Sequence, residues 1–321
     1  MKINKILIIL GEPQSTFSEI LFKYFSSKEF SKNEKKIILI GSISLLQKQM
    51  KKLKFNLNLK IINNLKEAKI NELNILNINY NNQKIFSKIS SNSKNYISEC
   101  FKIGLNLIKK NKKIALINGP VSKKHFLTKK YLGVTEYISK KIKSKNQVML
   151  IYNDKLSVSP LTTHLPLKHV AKNITKEKII NNVKEIRKFY ENLLKKKPKI
   201  AILGLNPHCE TIDKISEEKK IIIPAIKYLK KINLNTDGPF SADTFFIKKN
   251  INKYDVVVGM YHDQVLTPIK TLYNFNAINI TIGLPFIRIS PDHGPNYKML
   301  GKNESDPSSI FCAMKFINKI R

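Results

Sequence analysis

The chain has 321 residues, 42% of them hydrophobic, enough for a large core or for two lobes sharing a cleft. Its formal net charge of +35 points at first to a nucleic-acid or membrane partner, but Arg187, Arg288 and Arg321 are its only arginines and Lys supplies the rest. Nucleic-acid readers rely on the planar fork of Arg, so this Lys-, Ile- and Asn-rich chain without Trp reads as A/T-biased coding with a solvated lysine surface, and nucleic-acid and membrane partners are set aside.

Met1–Leu10 carries lysines and then a short apolar run that ends at Gly11-Glu12-Pro13 with no small-residue cleavage site. It reads as a first buried strand, Lys5–Leu10, and not as a leader. Further strands are expected at Ile37–Ile40, Ile114–Ile117, Val148–Tyr152, Ser157–Leu161, Ile200–Leu205 and Val256–Met260. Asn63–Asn92, rich in Asn and Lys and weakly patterned, is expected to be a variable surface excursion. Ser93–Lys109 has Ile97, Phe101, Leu105 and Ile108 on one helical face. Thr175–Lys195 is a second expected helix, with Thr175 as its N-cap. Strands alternating with helices imply an α/β fold with a largely parallel sheet. No apolar stretch approaches the roughly 20 residues of a membrane helix. Cys100, Cys209 and Cys312 form neither a CxxC pair nor an even disulfide set, which suits a reducing cytosol, so the expected location is cytoplasmic.

The chemistry is expected just beyond the carboxyl ends of parallel strands, where open α/β sheets bind ligands. His164 follows Ser157–Leu161, His208 follows Ile200–Leu205, and His262 follows Val256–Met260. Three neutral imidazoles converging there would make a metal site with positions left open for substrate; Zn²⁺ fits imidazole, and other divalent ions would also bind. Cys209 beside His208 is a rival ligand, better suited to a closed structural site. Downstream, Lys270, Asn279 and Arg288 form a second group, and Lys with Arg near a metal suits an anionic substrate. The plainer alternatives are a surface lysine, a satisfied core amide and a structural salt bridge.

Read in order, several segments resemble the 4-hydroxythreonine-4-phosphate dehydrogenase family. They are Gly119-Pro120-Val121-Ser122-Lys123, Thr162-Thr163-His164-Leu165-Pro166-Leu167, Gly204-Leu205-Asn206-Pro207-His208, Gly238-Pro239-Phe240-Ser241-Ala242-Asp243-Thr244, Met260-Tyr261-His262-Asp263-Gln264, Asn279-Ile280-Thr281-Ile282-Gly283-Leu284-Pro285-Phe286-Ile287-Arg288 and Asp292-His293-Gly294. The resemblance runs from Gly11 to the C-terminus and is strongest in the second half. It implies a two-lobed β-decarboxylating-dehydrogenase-like fold, of the isocitrate and isopropylmalate dehydrogenase type, with a mostly parallel sheet and an interlobe cleft. The expected lobes are residues 1–123 with 289–321, and residues 124–288 carrying the metal and substrate residues.

The same resemblance implies that His164, His208 and His262 bind a divalent metal (Zn, Mg or Co), and that Thr135, Lys270, Asn279 and Arg288 contact substrate. It implies NAD or NADP, with His293, Gly294 and Asn296 in the cofactor loop, although the chain has no GxGxxG, and it implies a homodimer. The reaction implied is oxidation of 4-hydroxy-L-threonine phosphate with decarboxylation to 3-amino-2-oxopropyl phosphate, in pyridoxal phosphate biosynthesis. Asp243, Asp263 and Lys123 are the candidate proton-transfer residues; Asp263 could instead be a metal ligand or orient an imidazole, and Asp243 could cap the helix beginning near Thr244.

Some positions depart from the family pattern. Val134 stands where the family has a substrate-facing His, Ser15-Thr16-Phe17-Ser18 replace a glycine- and proline-bearing loop, and Val265 replaces a glycine that could take positive φ. Pro295 and Lys298 differ in the cofactor loop, and Cys209-Glu210-Thr211 follow His208. The rival readings are a family dehydrogenase for 4-phospho-erythronate or 4-phospho-threonate, a phosphate acyltransferase of related fold, and a nucleic-acid-binding protein.

Overall fold

A computed structural model describes residues 3–320 except 82, 83, 112, 129, 210, 211, 275 and 291–295. Its strands are β1 (Lys5–Ile9), β2 (Lys36–Gly41), β3 (Leu59–Ile61), β4 (Leu73–Asn77), β5 (Ile114–Asn118) and β6 (Val148–Tyr152). They continue with β7 (Ser157–Thr162), β8 (Ile200–Leu203), β9 (Thr236–Phe240), β10 (Val256–Tyr261), β11 (Ile278–Ile282) and β12 (Ile287–Ser290). The chain divides into two compact units, Met1–Lys143 with Pro285–Arg321, and Ser144–Leu284.

The division falls at Lys143/Ser144 and Leu284/Pro285, not at the expected 123/124 and 288/289. Packing places it there. Tyr137, on the Val134–Ile142 helix, meets Phe101 and Phe126 edge-on at 5.4 and 5.1 Å between ring centroids. Arg288 lies on β12, which pairs with β5. Thr135 and Arg288 therefore belong to the first unit, while His164, His208, His262, Lys270 and Asn279 belong to the second.

In the first unit the order is β3-β4-β2-β1-β5-β12, with every pair parallel. β1 and β5 are continuous apolar runs covered on both faces, as a central parallel strand requires. The Lys94–Lys110 helix buries Ile97, Phe101, Leu105 and Ile108 as their spacing predicts. Gly104 lets that helix come close to β1: a Cβ there would sit 2.8 Å from Ile9 Cδ1. The stretch 63–92 is more than a surface excursion, because it contains β4. Leu73 and Ile75 are buried there, and buried Asn74 donates from Nδ2 to the Ile37 carbonyl at 3.0 Å. An Asn in the strand breaks the apolar pattern, and this bond to the neighbouring strand is the reason it is tolerated.

In the second unit the order is β11-β6-β7-β10-β8-β9; β6 pairs antiparallel with β11 and β7, and the remaining pairs are parallel. Thr175 caps its helix by accepting from the Lys178 N–H at 3.2 Å. Asn182, buried on that helix, exchanges hydrogen bonds with Ser159 of β7. The His262–Tyr273 helix lays Val265, Leu266 and Ile269 into a core with Val158, Ala201, Leu203 and Val257. Among the described residues no helix is long and apolar enough to cross a membrane.

Val265 answers one departure from the family pattern. Its position is helical, so positive φ is not required there. Instead its side chain is fully buried against Gly259 of β10, where an added Cβ would lie 2.4 Å from Val265 Cγ1. The missing side chain at 259 makes room for the extra one at 265. Gly259→Ala is therefore expected to destabilise the fold by about 1–3 kcal/mol through overpacking, and Gly259→Ala with Val265→Ala to recover part of that loss in denaturant unfolding.

Candidate functional site

β7, β10 and β8 run parallel side by side in register, with Thr162 opposite Tyr261 and Ile202 opposite Val258. β7 and β10 therefore end level, and β8 ends two residues short of them, one residue after the Ile202–Val258 pair. His164 comes two residues after β7, His262 begins the helix immediately after β10, and His208 lies in the loop after β8. The His164 and His262 rings stand 6.0 Å apart between centroids. Two imidazoles on one tetrahedral ion at a metal–nitrogen distance of about 2 Å have centroids about 5.2 Å apart, so these rings stand near one another but slightly wider than such a site.

His208 is placed differently. Its side chain is 84% exposed and its Nδ1 lies 3.8 Å from Asp243 Oδ2. Among the described residues no three His, Cys, Asp or Glu side chains are gathered closely enough to hold an ion. The structure brings together two of the three expected imidazoles and puts the third on the loop beyond the neighbouring strand.

Two side chains that sequence reasoning missed hold these loops. Glu218, with no solvent exposure, accepts from the backbone N–H groups of Leu205 and Asn206 at 2.7 and 2.8 Å and from Asn206 Nδ2 at 2.8 Å. Gln264 accepts from the Met260 N–H at 2.7 Å and donates to the Gly204 carbonyl at 2.8 Å. It ties the end of β10 to the loop that carries His208. The only sequence signal for Glu218 was that acids are scarce in this chain, and that signal does not say which acid is buried. His208 and Cys209 both have left-handed backbone, with φ of 56° and 55°. Cys209 Sγ packs 2.8 Å from where a Gly204 Cβ would be, which gives this cysteine a packing role.

The three proton-transfer candidates part company. Asp263 Oδ1 lies 2.8 Å from His262 Nδ1, the arrangement of a carboxylate that orients an imidazole. Asp243 accepts from Ser241 Oγ at 2.6 Å; that bond, the Thr244 N–H and His208 hold its carboxyl below the usual range. It sits in the first turn of the Ala242–Phe245 helix, whose N-cap is Ser241 and not Asp243 as the capping alternative expected. Lys123 is exposed, just beyond Ser122, whose Oγ accepts from the His125 N–H.

Of the substrate candidates in the second unit, Lys270 is exposed in the last turn of the helix that His262 begins. Asn279 is half-buried on β11, with its Oδ1 enclosed and accepting no hydrogen bond among the described residues. In the first unit, Arg288 donates from Nη1 to Thr135 Oγ1 at 2.9 Å and from Nε to Asn118 Oδ1 at 2.8 Å. His293 and Gly294 of the expected cofactor loop lie outside the described residues; Asn296 is exposed.

The first loop, at the end of β1, is built around a buried acid. Gly11 has φ of 73°, and a Cβ there would meet the Pro120 carbonyl at 2.5 Å, so only glycine fits. Glu12 donates its N–H to that carbonyl at 2.9 Å and accepts from Ser93 Oγ at 3.3 Å. Phe17, in the departing Ser15–Ser18 segment, is buried with its ring against Gly119. Burial raises the Glu12 carboxyl from 4.5 to about 7, opposed by the bonds from Ser93 and the Gln14 N–H.

The family described as "Pyridoxal phosphate biosynthetic protein PdxA" matches residues 33–317. A 4-hydroxythreonine-4-phosphate dehydrogenase of Sulfurihydrogenibium is 38% identical over 97% of this chain and 96% of its own, and one of Aquifex aeolicus is 35% identical over 99% and 98%. A D-threonate 4-phosphate dehydrogenase of Salmonella typhimurium is 29% identical over 98% and 99%. Among solved structures, a 4-hydroxythreonine-4-phosphate dehydrogenase from Klebsiella pneumoniae superposes with TM-score 0.85 at 24% identity, covering 98% of both chains. An isocitrate dehydrogenase from Methylococcus capsulatus superposes with TM-score 0.52 at 10% identity, covering 98% of this chain and 85% of its own. These two show the fold, the α/β type of the β-decarboxylating dehydrogenases.

Glu12 generates a pH prediction. A folded-state pKa raised above the unfolded value means that the folded chain keeps the proton longer, so stability falls as pH rises from 4.5 to about 7 and is flat above. Glu12→Gln removes that term. Its melting temperature should gain on the parent by roughly 5 °C between pH 5 and pH 8, and a constant difference across that range would show that Glu12 does not titrate this way.

Proposed function

This chain belongs to the PdxA family of pyridoxal phosphate biosynthetic proteins, and from that premise we propose that it oxidises 4-hydroxy-L-threonine phosphate with NAD or NADP and releases 3-amino-2-oxopropyl phosphate and CO₂. The observation that supports the reading is the register of β7, β10 and β8, with the His164 and His262 rings 6.0 Å apart between centroids and His208 on the adjoining loop. In this reading the three imidazoles hold a divalent metal, Zn, Mg or Co. When bound, it supplies positive charge that eases loss of the hydroxyl proton and then stabilises the charge left on oxygen as CO₂ departs. A nicotinamide bound there would supply the hydride acceptor.

The chain's own residues do the rest. Asp263 holds the His262 ring through Nδ1, leaving Nε2 as the nitrogen for the metal. Gln264 and Glu218 keep the two loops from drifting apart. Thr135, Lys270, Asn279 and Arg288 bind the phosphate and carboxylate of the substrate. Asp243, Asp263 and Lys123 are the residues that would transfer protons. His293, Gly294 and Asn296 hold the dinucleotide. The enzyme acts as a cytoplasmic homodimer.

A second reading has one observation in its favour. A D-threonate 4-phosphate dehydrogenase is similar over nearly the whole chain, and Val134 stands at the first position of the helix that carries Thr135. An apolar residue there would relax the choice between an amino acid and a sugar acid.

Purified protein with 4-hydroxy-L-threonine phosphate, a divalent metal and NAD⁺ or NADP⁺ should reduce the cofactor. A chelator should abolish the signal, and His208→Ala should lower kcat/KM by about a hundredfold or more, the scale of losing a catalytic metal's hold. Cofactor reduction with D-threonate 4-phosphate alone would select the second reading. No reduction with any substrate, cofactor and metal would overturn both.

A further inference from the structure

The helix that follows the first loop, Phe17–Phe25, carries an acid and a lysine one turn apart, and both reach residues near the other end of the chain. Glu19 has no solvent exposure, and its Oε1 accepts the Ser305 N–H at 2.6 Å. Lys23 Nζ stands 3.1 Å from that same oxygen and donates to the carbonyls of Asn303 and Ser305 at 3.0 and 2.7 Å. Three acceptors thus surround an ammonium that has three protons to give. One N–H and two carbonyls of the 303–305 backbone are held by two side chains of a single helix.

The 303–305 segment needs such partners. It lies between β12 and the Ser308–Lys319 helix, in neither strand nor helix, so its backbone groups have no ladder to join. Gly301 and Asn303 take left-handed backbone, with φ of 76° and 62°, which turns the chain sharply just before it. The following helix docks without the clamp. It buries Ile310, Ala313, Met314 and Ile317, and Phe311 meets Tyr24 edge-on with ring centroids 5.2 Å apart. A buried carboxylate is costly even when paired, and apolar residues of similar size would serve docking equally well. The polar grip falls upstream of that helix, before its N-cap Pro307, on the backbone that closes the segment leaving β12.

We propose that Glu19 and Lys23 are positioning residues for dinucleotide binding: they hold the 303–305 backbone, and so fix the downstream end of the segment that carries Asn296. A dinucleotide then meets a segment already in its binding shape. The apparent affinity scales with the fraction of chains in that shape, and the clamp keeps the fraction high. The inference rests on the reading above that His293, Gly294 and Asn296 hold the dinucleotide. It adds two residues that lie outside that loop and far from it in sequence.

Lys23→Met, Lys23→Arg and Glu19→Gln in the full-length enzyme test it. Each is followed by melting temperature, by the Kd of NADH and NADPH from the fluorescence of the reduced nicotinamide without substrate, and by kcat and both KM values. Lys23→Met keeps the apolar stem and loses the donors. It should raise the dinucleotide Kd and KM about tenfold, with kcat and the KM for 4-hydroxy-L-threonine phosphate within about threefold of the parent at saturating dinucleotide. Lys23→Arg, which keeps charge and donors, should stay within about threefold in every constant. Glu19→Gln, which keeps an acceptor for Ser305 but not the ion pair, should fall between the two. A dinucleotide Kd within about twofold of the parent in Lys23→Met, with or without a lower melting temperature, would overturn the proposal. An equal rise in both KM values would overturn it too, since that is general loosening. Should Lys23→Met fail to fold, Lys23→Gln carries the same comparison. Asn296→Ala separates the two levels. If it raises the dinucleotide Kd while the Lys23 variants do not, this inference alone fails; if it leaves the Kd unchanged, or the parent binds neither reduced nucleotide, the cofactor-loop reading fails and the inference with it.

Discussion

Three parallel strands held in fixed register are the constraint on which this chain's chemistry depends. A parallel ladder fixes register residue by residue, so Thr162 opposite Tyr261 and Ile202 opposite Val258 decide where the next residues of all three strands can go. The histidines come within five residues of those ends, too few for their loops to wander. A slip of one residue in either pairing would turn every following side chain to the opposite face of the sheet and separate His164 from His262. Buried Val256, Val257 and Val258 make such a slip expensive, because their side chains are packed on both faces.

Loops at a sheet edge need more than strand register to stay in place, and here buried polar groups provide it. Glu218 takes three N–H donors from the loop after β8, and Gln264 bridges that loop to the end of β10. Each is a buried group with its hydrogen bonds made, the condition under which polarity in a core gives a unique geometry. In the other unit Asn118 and Thr135 do the same for Arg288. One pattern serves both units: the residue of interest is charged or metal-binding, and what holds it in place is an amide, a hydroxyl or a carboxylate on the backbone beneath.

Most of the strands were legible as short apolar runs, and seven of them were found within two residues of their observed ends. The positions of His164, His208 and His262 just beyond strands were legible for the same reason, since they follow from the strand ends. β4 was not, because Asn74 and the surrounding Asn and Lys hide its two buried apolar residues. Gln264 and Glu218 escaped because a side chain that bonds to loop backbone leaves no periodicity behind. Asn118 escaped because it looks like a turn residue before Gly119-Pro120. Val265 was misjudged: position by position it seemed to remove a needed glycine, whereas the helix needs none and Gly259 supplies the space. The net charge misleads in the same way, since +35 reflects surface lysines while the arginine that matters is buried.

The central claim is that His164, His208 and His262 share one divalent ion, although His208 lies beside Asp243 in the structure. A crystal grown with Co²⁺ and measured for anomalous scattering tests it most directly. The account predicts one strong peak per chain within about 2.2 Å of an imidazole nitrogen of each of the three histidines. A peak held by His164 and His262 with His208 still beside Asp243, or no peak at this end of the sheet at saturating Co²⁺, would contradict it.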